Sequence, residues 1–571
     1  MLMPHSLTLL ALPLLLGGPA MALGSSGGYD RETDYPHTSR SAVMATGGMV
    51  ATGQPLATQA GLEVLRQGGN AIDAAIAANA MLGLIEPMNC GMGGDLFAIV
   101  WDAKTKQLYG LNASGRSPYA TSVEYFTSRG MKAIPGRGPL SWSVPGCVDG
   151  WDTLLRRFGT RSLAQVLEPA IAYAERGFPL PEILGADWSG AAQGLSERPS
   201  CSCYLPGGKA PGKGDLFRNP NLAAAYRLVA KGGRDEFYRG EIARRIVKYS
   251  QEAGGLFSLR DFADHTSTWV QPVSINYRGY DVYELPPNGQ GMAALEMLNI
   301  LKGYDLAALG RDNPLFAHLV IEAKKLAWAD RARYYADPDF AQIPIKGLLS
   351  DSYAERQRAR ISFERAAAVV APGDPWAEKL DDTVYLCAAD GQGNAISLIQ
   401  SIAGGWGSYE VPDGLGFCLQ NRGAAFSFDP QRPSCLRPHM RPFHTIIPAF
   451  VLKDGRPWFC FGVMGGEMQP QGHAQVLINM IDFGMDPQQA ADAARLRHDG
   501  VSDADAGDTE GIGKVSLESG FPPQVRERLQ AMGHQLTTGG FFGGYQGIQF
   551  LPGGVLVGAT EVRLDGCAAG F

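Results

Sequence analysis

No stretch of the 571-residue chain is apolar for long enough to cross a membrane as a helix, which takes about 20 residues. Metal and phosphate motifs are missing too. There is no H-E-x-x-H, no G-x-x-x-x-G-K-[ST] and no pair of Cys-x-x-Cys motifs, so zinc-hydrolase, P-loop and zinc-ribbon chemistry find no support. Neither a metal nor an organic cofactor is implied. Positive charge is scarce: 50 Lys and Arg stand against 57 Asp and Glu, a net charge of −7. That balance offers nothing to a nucleic acid. Gly24-Ser25-Ser26-Gly27-Gly28 fits G-x-S-x-G, but no strand precedes it, and the match reads as chance. Internal repeats and long low-complexity tracts are absent.

What is present points to a globular, turn-rich α/β chain: 45% hydrophobic residues, 19% charged, 73 Gly and 37 Pro. The short apolar run Leu7–Leu16, followed by Ala20-Met21-Ala22, has the form of a signal-peptide core and cleavage site. The preceding segment holds His5 but no Lys or Arg, and a misassigned start codon is the alternative. Residues 1–22 are therefore expected to be a signal and 23–40 a flexible lead-in. The protein is then expected to be periplasmic or secreted, or cytoplasmic if no signal is present. The nine cysteines are scattered. Cys387, Cys418 and Cys460 lie in apolar strand runs as core thiols, and Cys201-Ser202-Cys203 lies in a loop where a disulfide is open.

The most informative stretch is Asp381–Gly407. Two apolar runs, Val384–Ala389 and Ala395–Ile402, are joined by Asp390-Gly391-Gln392-Gly393-Asn394, a hairpin signal. Both runs are nearly apolar throughout, so both faces of each strand should be buried. Thr383 stands at the entry to the first strand. A β-branched residue starting a strand needs no further reason, yet a hydroxyl there can also be a nucleophile. Other expectations are a strand at Val43–Ala51 and helices at Pro55–Arg66 and Ala71–Leu84, the second capped by Asn70. A tight turn through Gly91–Gly94 should precede a core strand at Leu96–Trp101. Residues 195–215 should be an exposed loop, and 364–380 a flexible segment. His318–Tyr335 should be a helix with a solvated charged face. Gly416–Asn421 should be a short strand. Period alone supports mixed α/β.

The run GGNAIDAAIAANAMLGLIEPMNCGMGGDLFAIVWD and the sequence Asp382-Thr383-Val-Tyr-Leu-Cys-Ala-Ala-Asp resemble the gamma-glutamyltransferase family of N-terminal nucleophile hydrolases. The resemblance runs from about residue 43 to 565. It implies a four-layer αββα sandwich and a precursor that cuts itself before Thr383. A large subunit (41–382) and a small subunit (383–571) would result, and two such units could pair as a dimer. The freed α-amine would serve as base to the Thr383 hydroxyl. That chemistry is sound, because a threonine hydroxyl is weak at neutral pH and an adjacent amine of pKa about 8 activates it. The resemblance also assigns Gly465 and Gly466 to the oxyanion and Ser401 to a hydrogen bond with the nucleophile. A Gly-Gly pair at a strand exit is otherwise simply a turn.

The substrate positions depart from the family pattern. Its carboxylate-binding arginine falls on Ser114, with Arg116 two residues away; Arg116 is either a displaced carboxylate ligand or a surface arginine. Where gamma-glutamyl specialists hold the amino-acid end with Asn, Gln and Asp, this chain has Ala403, Arg422 and Ala425. Where they have two serines, it has His444 and Thr445. The acidic partner for a substrate ammonium is gone and a guanidinium is added. Arg422 either grips a carboxylate or makes a structural ion pair, and His444 is either a ligand or a packed core histidine. The expected activity is hydrolysis of a small amide with a carboxylate near the carbonyl, as in oxamate amidohydrolases and glutaryl-type acylases. Glutathione-type gamma-glutamyl transfer is the close alternative, and an uncleaved solute-binding relative is the other.

Overall fold

The hairpin after residue 383 closes as its turn residues dictate. Asp390 Oδ1 accepts the backbone N–H of Gln392 (2.9 Å) and of Asn394 (3.0 Å). Gly393 takes a φ of +88°, open to glycine at no steric cost. A computed structural model describes residues 39–375, 380–381, 384–500 and 512–571. The expected signal segment, most of the lead-in, and Thr383 itself lie outside the described residues.

Two seven-stranded sheets form the centre. The first runs, edge to edge, Cys567–Gly570, Gly48–Thr52, Val384–Asp390, Ala395–Ser401, Asp95–Asp102, Gln107–Ala113 and Thr268–Val270. The hairpin is thus inserted between two strands from the N-terminal part of the chain: Leu386 pairs with Thr52, and Ser401 with Asp95. The second sheet runs Val43–Ala45, Leu556–Thr560, Gly544–Phe550, Arg456–Met464, Ala449–Lys453, Tyr280–Glu284 and Val273–Tyr277.

Three apolar cores stack through the molecule. The middle one lies between the sheets and includes Phe97, Tyr385, Cys387, Ile399, Phe450, Cys460 and Ile548. Outside the first sheet, helices such as Pro55–Arg66 and Ala71–Ile85 close one core. Outside the second, Gly291–Leu301, Pro314–Tyr334 and Met468–Ile481 close another. The layering is αββα, the N-terminal nucleophile hydrolase type. Asn70 caps Ala71–Ile85 through a capping box, worth about 1 kcal/mol. The alanines of that helix are fully buried and let it lie close on its neighbours.

Several expectations change. The charged face of Pro314–Tyr334 is not solvated: Lys324, Lys325, Asp330 and Arg331 are all buried. Each finds a polar partner inside: Lys325 pairs with Glu322 at 2.7 Å and Arg331 with Glu467 at 2.8 Å, Asp330 accepts from Tyr353, and Lys324 donates to Gly500 O, so helical spacing of charges did not mark a surface. Residues 195–215 are not a loose loop. They hold the end of a helix and two 3₁₀ turns, and Trp188 Nε1 donates to Tyr204 O at 2.9 Å. Cys201 and Cys203 are free thiols, with Cys201 Sγ donating to Tyr409 O at 3.2 Å. Gly416–Asn421 forms no strand, although Cys418 is buried as expected. Residues 364–375 are tied down: Gly373 N donates to Asp330 Oδ1 (2.6 Å) and Ala366 N to Met532 O (2.7 Å). Val43–Ala51 is two strands in different sheets.

Candidate functional site

Ser401 ends its strand with its side chain fully buried. Its Oγ accepts the N–H of Ala403 at 2.8 Å and a guanidinium N–H from Arg422 at 3.2 Å. Arg422 opens a 3₁₀ turn, is 1% exposed, and reaches Thr445 Oγ1 at 3.4 Å with its other terminal nitrogen. One planar cation therefore spans two hydroxyls on different chain segments.

The flanks of residue 383 arrive at this spot from both sides. Leu380–Asp381 pairs in parallel with His444–Thr445. The chain resumes at Val384, which pairs with Gln400, the neighbour of Ser401. Both ends of the gap thus border the Ser401–Arg422–Thr445 cluster.

His444 is buried, with Nε2 2.9 Å from Asp95 Oδ2. Burial, and next the charge of Arg422, push its imidazole down to about 4 despite Asp95. It is a neutral, packed histidine at neutral pH. Asp95 is fixed in turn by the N–H groups of Gly115 (2.9 Å) and Gly146 (3.0 Å) on its Oδ1. The expected tight turn at Gly91–Gly94 is present, with Gly94 N donating to Gly91 O at 3.0 Å. A Cβ on Gly94 would sit 2.1 Å from Ser401 O, so glycine there lets the backbone reach the site.

Gly465 and Gly466 follow the strand Arg456–Met464 and precede the helix Met468–Ile481. Their φ values are +124° and +59°. A Cβ on Gly465 would meet Gly543 Cα and Phe541 Cε1 at 2.9 Å. Among the described residues, neither N–H of the pair donates a hydrogen bond. Two free N–H groups at the start of a helix are suited to an anion.

Sequence reasoning missed the groups that hold this turn. Gln290 Nε2 donates to Thr445 O (3.0 Å) and Gly466 O (3.1 Å), joining the two walls. Arg331 Nη1 donates to Gln290 Oε1 at 2.6 Å, and Nη2 pairs with Glu467 Oε2 at 2.8 Å. Burial acts to raise the Glu467 carboxyl, but Arg331 and then Lys324 outweigh it and hold it below the ordinary range. Gln290 lies over 150 residues from either partner, and no local pattern signals it.

Arg116 is not brought into this cluster. Its guanidinium is spent on Asp337 (3.1 Å), Asp339 (2.5 Å) and His439 O (3.1 Å). It is neither a carboxylate ligand here nor a free surface arginine, because two acids compensate it. Arg441, which is buried, donates to the backbone oxygen of Ser114, the position where the family arginine was sought, at 3.1 Å.

A cavity of about 470 Å³ opens beside the cluster, lined in part by Asn89, Arg137, Asp187, Ala403, Trp406, Tyr409, Met464 and Phe541. Ala403, Trp406 and Tyr409 all have positive φ, +75°, +64° and +59°. Such strain gathers where surrounding packing over-determines a functional wall.

One group among the described residues has metal-ligand spacing, His318, Glu322 and His534, all buried. His318 Nδ1 and His534 Nε2 are already 2.8 Å apart, and Lys325 sits on Glu322 at 2.7 Å. That ammonium opposes a dication, and the group reads as a hydrogen-bonded joint. No helix among the described residues is long and apolar enough to cross a membrane.

The gamma-glutamyltranspeptidase family model matches residues 57–571. The glutathione hydrolase-like YwrD proenzyme of Bacillus subtilis (strain 168) is 37% identical, covering 93% of this chain and 99% of the relative. The oxamate amidohydrolase proenzyme of Klebsiella pneumoniae is 34% identical, covering 92% and 99%. The crystal structure of cephalosporin acylase from Bacillus halodurans superimposes with a TM-score of 0.87 at 41% identity, covering 95% of this chain and 99% of that one. With the sandwich, the glycine turn and these matches together, the chain belongs to the gamma-glutamyltranspeptidase family and is an N-terminal nucleophile amidohydrolase.

Proposed function

We propose that the chain cuts its own backbone between Asp382 and Thr383, giving subunits 41–382 and 383–571, and that Thr383 then carries an acyl-enzyme. The Thr383 hydroxyl attacks the amide carbon while its α-amine takes the proton. The oxyanion settles on the N–H groups of Gly465 and Gly466. The C–N bond breaks as the amine leaves with that proton, and water, deprotonated by the same α-amine, then frees the acid. Ser401 and Thr445, joined by Arg422, border the chain on either side of residue 383. The single observation that carries this reading is where the chain re-enters: both flanks of residue 383 end beside that pair.

The acyl group is a small one bearing a carboxylate. The buried Arg422 supplies positive charge, the neighbouring His444 is neutral, and Ala403 and Ala425 offer no acid to a substrate ammonium. The oxamate amidohydrolase relative points the same way. Purified protein should run as two bands on a denaturing gel, and N-terminal sequencing of the smaller should begin at Thr383. Thr383→Ala should run as one intact band and hydrolyse nothing. A wild-type small fragment starting elsewhere refutes the mechanism. With the matured protein, glutaryl amides and oxamate should turn over faster than glutathione or a gamma-glutamyl anilide.

A further inference from the structure

A second cavity, of about 340 Å³, opens where residues 333–342 meet residues 430–437. It shares no lining residue with the cavity beside Ser401, and its size is that of a small-molecule site. Three of its lining residues are arginines, Arg333, Arg432 and Arg437, and none is acidic. In a chain of net charge −7 this is a local reversal of sign. Like charges gathered around one concave space repel, and each gains when an anion enters.

The backbone holds each arginine in place. Arg333 lies in the last turn of the helix Pro314–Tyr334, where the helix dipole favours a cation. Arg432 sits in a loop closed on itself. Ser427 N donates to Ser434 O at 3.1 Å, Leu436 N to Ser427 O at 2.9 Å, and Arg432 N to Asp429 O at 3.1 Å. Pro430 and Pro433 stiffen that loop by fixing φ. Ser117 Oγ donates to Arg437 O at 2.9 Å, which pins the chain just beyond the loop. Phe340 lines the cavity too, and its N–H donates to the backbone oxygen of the buried Asp337 at 2.9 Å.

The side chains are less committed than the backbone. Among the described residues, the guanidiniums of Arg333 and Arg437 make no hydrogen bond and no ion pair. Arg437 Cζ stands 6.0 Å from the Phe340 ring centroid, the outer limit of a cation–π contact. Arg432 pairs with Asp429 at 3.7 Å and adds to the local potential. Gln342 and Gln431 line the same space and bring side-chain amide donors.

We propose that this cavity binds a compact dianion, a phosphate monoester or a dicarboxylate, gripped between Arg333 and Arg437. A guanidinium offers a planar pair of N–H groups to either kind of anion. A lone carboxylate brings one negative charge to two guanidiniums and binds more weakly. Arg333 belongs to the large piece of the proposed cut and Arg437 to the small one, so a bound dianion braces the two across their seam. The bracing rests on that cut; the binding does not.

The test titrates purified wild type calorimetrically with glycerol 3-phosphate, glutarate and acetate at about 0.15 M salt, where long-range attraction is screened. At least one of the dianions should bind once per chain and about tenfold tighter than acetate, and which one does so identifies the source. Arg333→Ala and Arg437→Ala should each weaken that binding about tenfold, the loss of a charge-assisted hydrogen bond. Both variants should turn over the best amide from the panel above as wild type does. The dianion should raise the melting temperature of wild type more than that of either variant. Equal binding by wild type and both variants overturns the site, as does acetate binding as tightly as both dianions, or no binding at all. Glutarate that only inhibits turnover, to the same degree in wild type and variants, sits in the catalytic pocket and also counts against the site. A chain that binds the dianion through both arginines but is never cut keeps the site and loses only the proposed cut with its bracing.

Discussion

Inward of Ser401, Arg422 reaches Thr445, His444 leans on Asp95, and Gln290 ties the Thr445 wall to the glycine turn. Outward, Arg137, stacked over Tyr409, and Asp187 line a cavity and make no hydrogen bond or ion pair among the described residues. The inner side is wired in advance, so it pays no reorganisation when charge develops in the transition state. The outer side leaves its charged groups without hydrogen bonds or ion pairs among the described residues. The two sides of Ser401 are thus built in different ways, one cross-linked and one open.

The comparison is broken most severely by removing a buried cation. Arg331→Met should strand Glu467 as an unpaired buried carboxylate, costing about 3–5 kcal/mol, seen as a collapse of the melting temperature and of processing. Gly465→Ala comes next. Its φ of +124° and the contacts awaiting a Cβ should displace the oxyanion donor, and kcat should fall about 10²–10³-fold in material that still melts cooperatively. Gln290→Ala should cost about 1–3 kcal/mol by taking away the acceptor of the buried Arg331 Nη1 and a donor to Thr445 O, and should lower kcat more than it raises KM. If any of these leaves both stability and kcat unchanged, the cross-linked side has been misread.

The smallest effect lies on the outer side. The Glu86 carboxyl, whose Oε2 accepts Asn89 Nδ2 at 3.0 Å, is raised from 4.5 to about 7 in the folded state. Between those values the folded protein binds more protons than the unfolded chain, so this group's contribution is intact below pH 4.5 and is lost as pH rises through 7. Glu86→Gln should therefore raise the melting temperature by about a degree or two at pH 8 and change it little at pH 4.5.

The sandwich was legible where chemistry is local. The hairpin at Asp390–Asn394, the capped helix after Asn70 and the turn at Gly91–Gly94 each carry their instruction within a few residues. Ser401, Arg422, His444 and Thr445 were found because they sit at motif positions, and the structure gathers all four. The helix Pro314–Tyr334 was misread because its charges are satisfied by distant groups: Arg331 by Glu467, Asp330 by Tyr353 and Gln357. Arg116 was overvalued for the same reason, since Asp337 and Asp339 lie more than 200 residues on. Gln290 has no sequence signal because its value comes from bridging two walls that only folding brings together.

The strands Val384–Asp390 and Ala395–Ser401 are hydrogen-bonded on their outer edges to Gly48–Thr52 and Asp95–Asp102. A break before residue 383 would release an end and not a domain. The two pieces would stay woven through one ladder, parting only if the whole sheet came undone. Fragments made separately would each present raw strand edges and should precipitate before they find one another. The single precursor is thus a folding device as much as a safety catch.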